Sequence, residues 1–429
     1  MHVGGVQQKE GRMKVVFVSN YINHHQIPFC NAMREQLSED FFFVQTEPMA
    51  EERIKMGWGQ DFSRLPYLHL FYEEEFFCRK LIAESDIVLF GGVDDESYIA
   101  DRLREGKIVV RLSERLYKTG QWKAISPRGL VQKYKDHTRY RKAPVYLLCC
   151  GGYVASDFHI VKAYPGKMYK WGYFPAFKPQ DVDNLMEIKR RRREREKKPS
   201  LLWAGRFIDW KHPEMAILAA EKLVQEGYDF SLTMVGGGEM EEMLMQMTEE
   251  KHLSEYVTFA GFKKPEQVRE YMENADIFLF TSDYGEGWGA VLNEAMNSCM
   301  AVVADCGIGA APFLLKPGKN GMVYPDGNFT IFYKNLTTLI QNENIMEKLG
   351  RAAYDTVSSE WNAENAARKL LSFLKGLTEG RAVAAESGIL SEAEPIAPYH
   401  MYRRMCEEAS GSVKTAEEKR QTDGSRRIP

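Results

Sequence analysis

Residues 277–305 have the sequence IFLFTSDYGEGWGAVLNEAMNSCMAVVAD, and this stretch decides the fold. Two apolar runs, Ile277–Thr281 and Ala301–Asp305, predict buried strands. The segment between them begins with a glycine-rich loop and continues as Trp288–Cys299, whose apolar spacing predicts a helix. A strand, a crossover helix and a second strand form a parallel βαβ unit, which places this part of the chain in the α/β class.

The same alternation of strands and helices extends along most of the chain. Short apolar runs predict strands, and the stretches between them predict helices such as Ile27–Leu37 and Pro213–Glu226. The predicted strands are 14–19, 41–44, 87–90, 108–112 and 146–150 in the first half, and 201–204, 230–235, 257–260, 277–281 and 301–305 in the second. Two groups of this kind predict two Rossmann-like domains, each with a parallel sheet.

The division into domains follows from length and charge. A chain of 429 residues exceeds what one hydrophobic core normally covers. Lys189–Lys198, KRRRREREKK, has eight basic residues, two acidic residues and no apolar one, so it predicts a solvated interdomain linker. The expected parts are an N-terminal domain 13–178, the charged linker 179–198, a C-terminal domain 199–360, a crossover helix 361–377 that returns to the first domain, and a polar, partly disordered tail 378–429.

The bulk composition is that of a soluble globular protein, with 44% hydrophobic and 27% charged residues. The net charge of −3 gives no general argument for nucleic-acid binding. No apolar run approaches the roughly 20 residues that span a bilayer. The seven cysteines lack metal-ligand spacing, and we expect a cytoplasmic protein in a reducing compartment.

Charged and glycine residues follow the predicted strands of the second half, where doubly wound sheets bind their ligands. Arg206 and Lys211 follow one strand and can neutralise phosphate oxygens. The loop 282–289 follows another, and its glycines allow backbone N–H groups to approach a phosphate. Glu286 and Glu294 can accept hydrogen bonds from sugar hydroxyls. This set predicts a site for the diphosphate and the sugar of a nucleotide sugar.

Four segments of the second half resemble family 4 of the retaining glycosyltransferases, which has the GT-B fold. EGWGAVLNE (286–294) resembles the Glu-x7-Glu motif of that family, and AGRFIDWKHPEMAI (204–217) resembles its Gly-Arg-x4-Lys segment. FAGF (259–262) and GKNGMVYPDGN (318–328) resemble segments at the matching places. The likeness covers roughly residues 200–375, with the four segments in the expected order.

The resemblance implies a role for each of these residues. Arg206 and Lys211 would bind the donor diphosphate and stabilise it as it leaves. Glu294 would hold the ribose, and Glu286 would contact the donor sugar. The implied contacts with the base and with the sugar–phosphate backbone are Gly237, Gly238, Glu239, Phe262, Gly287, Trp288, Gly289, Ala290 and Val291. The resemblance also implies retention of anomeric configuration and no metal, with no cofactor besides the nucleoside diphosphate sugar.

The first half supplies candidates for the acceptor side of the cleft. SNYINHHQIPF (19–29) and WGYFP (171–175) resemble segments of a capsular or exopolysaccharide subgroup of the family. His24 and His25 lie in the first strand–helix loop, and Glu114 follows a later strand. We expect one of the two histidines, and likewise Glu114, to contact donor or acceptor, with proton transfer as a further possibility. The alternative is that the histidines are only solvated or cap a helix.

Residues 128–142, RGLVQKYKDHTRYRK, carry six basic residues against one acidic residue, interleaved with apolar ones. A basic amphipathic stretch of this kind can bind an anionic membrane surface, and the alternative is a solvated helix face. We hypothesise peripheral contact with the inner face of the membrane.

Together these patterns predict a retaining, metal-independent glycosyltransferase. It would move a sugar from a nucleoside diphosphate sugar to a hydroxyl of a glycan or lipid-linked saccharide acceptor, in cell-surface polysaccharide synthesis. Two alternatives stay open. One is a nucleotide-sugar epimerase, because such enzymes share the two-domain fold, and the other is a non-catalytic sugar-nucleotide-binding subunit.

Overall fold

The computed structural model describes residues 13–51, 62 and 64–411. Within these residues the N-terminal sheet has seven parallel strands in the order β3-β2-β1-β4-β5-β6-β7. The strands are β1 Val15–Ser19, β2 Phe41–Gln45, β3 Leu68–Leu70, β4 Ile87–Gly91, β5 Val109–Ser113, β6 Val145–Cys150 and β7 Met168–Trp171. The strand order reverses between β1 and β4, which is the switch point where doubly wound sheets form ligand clefts.

The C-terminal sheet, inside the described range 200–324, has six parallel strands in the order β10-β9-β8-β11-β12-β13. The strands are β8 Ser200–Arg206, β9 Ser231–Gly237, β10 Val257–Gly261, β11 Ile277–Phe280, β12 Ala301–Asp305 and β13 Met322–Tyr324. Its switch point lies between β8 and β11. The predicted α/β class with two parallel sheets is therefore confirmed.

Helices cover both faces of each sheet, so the central strands are buried along their whole length. The helices of the first domain are Ile27–Leu37, Glu75–Glu84, Ala100–Glu105, Pro127–Asp136 and Val154–Ile160. Those of the second are Val182–Glu196, Glu214–Gln225, Glu241–Glu250, Pro265–Asn274, Val291–Asn297, Ala311–Leu314, Phe329–Gln341 and Glu343–Ser359, followed by Ala363–Thr378 and Met401–Ser410. Helix Ala363–Thr378 returns to the first domain, where Phe373 packs on Tyr146 and Tyr169. No helix of the described residues is long and apolar enough to cross a membrane.

Segment 179–198 differs from the solvated linker that its charge predicts. Val182–Glu196 is a helix, and the Asp181 side chain caps it by accepting from the Asn184 backbone N–H at 3.0 Å. Lys189 and Arg193 are buried against the second domain. Burial of these two charges is possible because Lys189 donates to a backbone carbonyl of the second domain and Arg193 pairs with Asp276. The composition of the segment does not reveal these distant partners.

Part of the predicted polar tail is folded as well. Residues 379–411 pack against both domains, with Ile389 and Leu390 buried. The Lys170 N–H donates to the Ser391 carbonyl at 2.9 Å, and the Leu390 N–H donates to the Lys170 carbonyl at 2.9 Å. Residues 412–429, the rest of that prediction, lie outside the described residues. Backbone pairing beside β7 gives this polar segment its order, and its composition carries no signal for such pairing.

Candidate active site

A cavity of about 480 Å³ lies beyond the carboxyl ends of β8 and β11, at the switch point of the C-terminal sheet. Arg206, Lys211, Glu286 and Glu294 all line it. The structure thus brings the two cations and the two carboxylates around one opening. This size and mixture of charges suits a nucleotide bearing a sugar.

The two cations are positioned by the end of β8 and the turn that follows it. Arg206 is the last residue of the strand, and Lys211 ends the short 3₁₀ helix Asp209–Lys211. Thr281, directly after β11, donates its hydroxyl to the Lys211 carbonyl at 2.7 Å, which ties the turn to the neighbouring strand. The Trp210 ring lies near both cations, with its centroid 5.7 Å from Arg206 Cζ and 4.7 Å from Lys211 Nζ. The aromatic face limits the positions that both cations can take.

Glu286 forms an ion pair with Lys211 inside the cavity. Both side chains are only 12% exposed, and Glu286 Oε2 also accepts from the Ser282 hydroxyl at 3.0 Å. Water screens such a pair weakly, so the two groups orient each other strongly. An incoming diphosphate could share the ammonium while the carboxylate turns to a sugar hydroxyl.

Glu294 lies on a shorter helix than the sequence predicts. The helix spans Val291–Asn297, whereas apolar spacing predicts Trp288–Cys299. Gly289 has φ of 88° and Cys299 has φ of 54°, so the backbone is left-handed just outside both ends. Burial raises the pKa of Glu294, while the nearby Arg269 guanidinium acts in the opposite direction. Glu294 lies in the first turn of this helix and lines the cavity.

The loop before this helix approaches the N-terminal domain very closely. A Cβ on Gly287 would lie 2.1 Å from Glu114 Oε2, so a side chain at this position would displace the Glu114 carboxylate. Trp288 is buried, and its indole N–H donates to Asn293 Oδ1 at 2.9 Å. Backbone atoms of 287–291 line the cavity, as the resemblance implies for the sugar–phosphate contacts.

Of the residues that the resemblance implies around the base, only some line the cavity. Gly237 lines the cavity, as does Phe262, whose ring is exposed. Gly238 and Glu239 are exposed and do not line it. A φ of 156° at Gly238 turns the chain away from β9 toward the next helix.

The N-terminal domain closes the other side of the cavity with His24, His25 and Glu114. Glu114 Oε1 accepts from the Tyr173 hydroxyl at 2.7 Å, and Lys118 Nζ lies 2.6 Å from Oε2. Burial and the neighbouring Glu114 raise the pKa of Tyr173 well above its ordinary value. Burial, followed by the neighbouring His24, lowers the pKa of His25 to about 3, so this imidazole is neutral near pH 7.

A second cavity of about 600 Å³ lies at the carboxyl ends of the N-terminal strands. It is lined by polar groups such as Asn20 and Asp94 and by aromatic rings such as Trp171. His25, Glu114 and Tyr173 line both cavities and form the boundary between them. This is the place where substrates held in the two domains would meet.

Sequence reasoning assigned no individual role to several residues that line or support the donor-side cavity, among them Trp210, Ser282 and Lys118. Trp210 directly precedes Lys211, and Ser282 is four residues before Glu286, so both lie close in the sequence to residues with predicted roles. No sequence pattern around Lys118 indicates a place in the site, because the lysine joins the site only through its contact with Glu114. Among the described residues there is no group of three or more His, Cys, Asp or Glu that could hold a metal ion.

The two parallel sheets with a cavity between them define the GT-B class, and solved structures share this architecture. The structure of Anabaena Alr3699/HepE in complex with UDP superposes with a TM-score of 0.63 at 13% identity, covering 85% of this chain and 100% of that one. Sucrose-phosphate synthase from Thermosynechococcus elongatus gives a TM-score of 0.62 at 14% identity, covering 86% and 100%. These identities establish the fold alone.

Residues 186–356 match the model of the family Glycosyl transferases group 1. The amylovoran biosynthesis glycosyltransferase of Erwinia amylovora is 31% identical over 182 residues, which are 41% of this chain and 44% of that protein. The GDP-mannose-dependent alpha-(1-6)-phosphatidylinositol monomannoside mannosyltransferase of Mycobacterium tuberculosis is 25% identical over 313 residues, or 70% and 78%. The matches to the amylovoran protein and to the putative colanic acid glycosyltransferases named WcaL span less than half of those proteins. The predicted resemblance to GT-B glycosyltransferases of the exopolysaccharide subgroup is confirmed.

Proposed function

We propose that this protein transfers a glycosyl group from a nucleoside diphosphate sugar to a hydroxyl of a glycan or lipid-linked saccharide, with retention, in cell-surface polysaccharide synthesis. One observation carries the proposal: Arg206, Lys211, Glu286 and Glu294 line a single cavity at the switch point of the second sheet. The match of residues 186–356 to the family Glycosyl transferases group 1 and the names of the relatives support it.

In this mechanism Arg206 and Lys211 bind the diphosphate and neutralise the charge that develops on it as the glycosidic bond breaks. Glu294 accepts hydrogen bonds from the ribose. Glu286, released in part from Lys211, accepts from hydroxyls of the transferred sugar. With two cations in place, the chemistry needs neither a metal ion nor a further cofactor.

The acceptor occupies the N-terminal cavity and presents its hydroxyl at the boundary formed by His25, Glu114 and Tyr173. The hydroxyl attacks from the same face from which the diphosphate departs, and the departing phosphate takes up its proton. This front-face course retains the anomeric configuration without a covalent intermediate. Closure of the two domains excludes the water that would otherwise hydrolyse the donor.

The first test is nucleotide binding, measured as a thermal shift with UDP, GDP, ADP and CDP. One of them at a hundred times its dissociation constant should add about 2.7 kcal/mol of stability. Arg206→Gln should weaken that binding about ten- to a hundredfold, because it removes a charged hydrogen-bond donor. Arg190→Gln, at an exposed arginine outside the cavity, is the matched control and should bind as the wild type does.

The second test is the reaction, with donor supplied in the presence and absence of acceptor. A transferase gives glycosylated acceptor, undiminished by a chelator, and only slow donor hydrolysis without acceptor. Formation of an isomerised donor would instead identify an epimerase. Full pathway function in a Glu286→Ala variant would point to a non-catalytic binding subunit.

A further inference from the structure

We propose that the exposed side chains of residues 122–142 form a docking surface for an anionic lipid bilayer, which delivers a lipid-linked acceptor to the N-terminal cavity. The acceptor part of this inference rests on the proposed function, whereas the docking part stands on the surface itself. The structure extends this surface beyond 128–142, the segment that the sequence indicates.

The apolar part of the docking surface is centred on two side chains that the sequence pattern does not single out. Trp122 is 67% exposed and Ile125 is 79% exposed. Leu130, Val131 and Tyr134 on the adjoining helix Pro127–Asp136 are exposed as well. Exposed aliphatic side chains beside a tryptophan suit a hydrocarbon–water boundary, where an indole is especially favourable.

The turn that carries Trp122 is anchored to the domain. Its neighbour Gln121 donates to Ser156 Oγ at 3.0 Å and to the buried Asp157 at 2.7 Å. The indole N–H of Trp122 donates to the Thr119 carbonyl at 3.2 Å, which orients the ring. The exposed indole is therefore held in place by a defined turn.

The excess of basic residues in the docking surface favours an anionic lipid surface as the partner. Between residues 122 and 142 there are seven basic residues and one acidic residue, in a chain whose net charge is −3. Lys123 Nζ lies 5.6 Å from the Trp122 ring, so a cation accompanies the apolar tip. Each basic side chain near an anionic bilayer contributes about 1 kcal/mol of attraction. The basic side chains suit the anionic headgroups of a bilayer, and the exposed apolar side chains suit its acyl chains.

The docking surface adjoins the proposed acceptor cavity. Lys133 and Asp136, on the same helix as Leu130 and Val131, line the N-terminal cavity. A saccharide attached to a lipid could therefore enter the cavity while its lipid stays in the bilayer. The phosphatidylinositol monomannoside mannosyltransferase named above, by its name, acts on such a lipid-borne acceptor.

The experiment is co-sedimentation of the full chain with vesicles of phosphatidylcholine, with and without phosphatidylglycerol. We expect binding to the anionic vesicles, weakened by salt, and little binding to the neutral ones. Trp122→Ser with Ile125→Ser should weaken binding at least about tenfold. The matched control is Phe76→Ser with Tyr399→Ser, which removes two side chains that are 86% and 81% exposed elsewhere.

A second pair of variants tests the charge. Lys123→Gln, Arg128→Gln and Lys135→Gln together should weaken binding to anionic vesicles about a hundredfold, roughly fivefold for each charge. The control removes three exposed arginines from the helix Val182–Glu196 and should leave binding unchanged; these are Arg190, Arg191 and Arg195. All variants should keep the wild-type melting temperature, because each altered side chain is exposed.

Several results would overturn the proposal. They are equal binding to neutral and anionic vesicles, equal losses in test and control variants, or binding to a single-stranded oligonucleotide instead of vesicles. Nucleotide binding measured on the same samples separates this inference from the proposed function. Failure of the wild type to bind any nucleoside diphosphate would count against glycosyl transfer and leave the docking result as it stands.

Discussion

Close approach of loops at the seam between the domains depends on individual glycines. A Cβ on Gly309 would lie 1.8 Å from the Gly287 carbonyl oxygen, whereas a Cβ on Gly287 would lie 2.1 Å from the Glu114 carboxylate. The Gly309 carbonyl also accepts from the Gly152 N–H of the other domain at 2.9 Å. Beside the seam, a rigid contact between two backbones of the second domain therefore adjoins a softer contact with a side-chain tip of the first domain.

This difference predicts different losses of stability for two alanine substitutions. Gly309→Ala should lower the free energy of unfolding by about 3 kcal/mol, because backbone must move. Gly287→Ala should cost only about 1 kcal/mol, since the Glu114 side chain can rotate away at the loss of its hydrogen bond with Tyr173. It should nevertheless abolish most transfer, because the Glu114 carboxylate would leave the boundary between the two cavities. Urea denaturation and a transfer assay check the two effects separately.

Gly129→Ala is the control for both variants, because its Cβ would meet nothing closer than 3.5 Å. Gly129 lies in a helix, where alanine is favoured over glycine, so this variant should gain about a few tenths of a kcal/mol in its free energy of unfolding. Equal stability of all three variants would show that the seam is not closely packed.

At the scale of elements, the helix Val182–Glu196 shows how a highly charged segment can be part of a core. Lys189 Nζ donates to the carbonyls of Met272, Ala275 and Ser298, at 3.2, 2.5 and 2.8 Å. These carbonyls end helices, where a positive charge is favourable. Burial lowers the pKa of Lys189 to about 8, so desolvation remains the largest influence on this ammonium.

The buried arginine of the same helix is expected to be the more critical residue. Arg193 lies 2.8 Å from Asp276 and 3.0 Å from Glu343, and it also pairs with Glu347. Arg193→Ala should cost about 3–5 kcal/mol, because it leaves the carboxylate of Asp276 buried with fewer partners. Arg191→Ala should cost less than about 0.5 kcal/mol, since that side chain is 74% exposed.

Denaturant titration of the two arginine variants gives the comparison directly. A small effect at both positions would mean that the helix behaves as the solvated linker its composition suggests.

At the scale of the whole molecule, two segments hold the domains together. Helix Ala363–Thr378 packs on the first domain, and residues 379–411 continue the contact. The Ile389 N–H donates to Glu360 Oε1 at 2.8 Å, which ties this segment to the end of the second domain. These contacts thus help to keep the two domains, and with them the two cavities, adjacent.

A truncation after Thr378 should therefore lower the melting temperature by several degrees and reduce transfer more than nucleotide binding. It removes the buried Ile389 and Leu390 and the backbone pairing with Lys170. A truncation after Gly411 keeps all of these contacts and serves as the control. Indistinguishable melting curves for the two truncations would rule out a structural role for 379–411.

The sequence predicts most of the central strands, because each is a short apolar run bounded by polar or glycine residues. It does not predict β3, β7 and β13, which are only three or four residues long. β3 is half-buried, and β7 is paired by the distant residues Leu390 and Ser391. Strands of this kind depend on neighbours more than on their own composition.

For the candidate site, the sequence by itself determined which groups gather, since the carboxyl ends of parallel strands meet at one edge of a sheet. That rule placed Arg206, Lys211, Glu286 and Glu294 together before any coordinates. Only the tertiary structure decided that Lys211 pairs with Glu286, that Glu114 meets Gly287, and that Lys189 is buried. The physical reason is that topology constrains strand ends, whereas pairing and burial depend on distances between residues far apart in the chain.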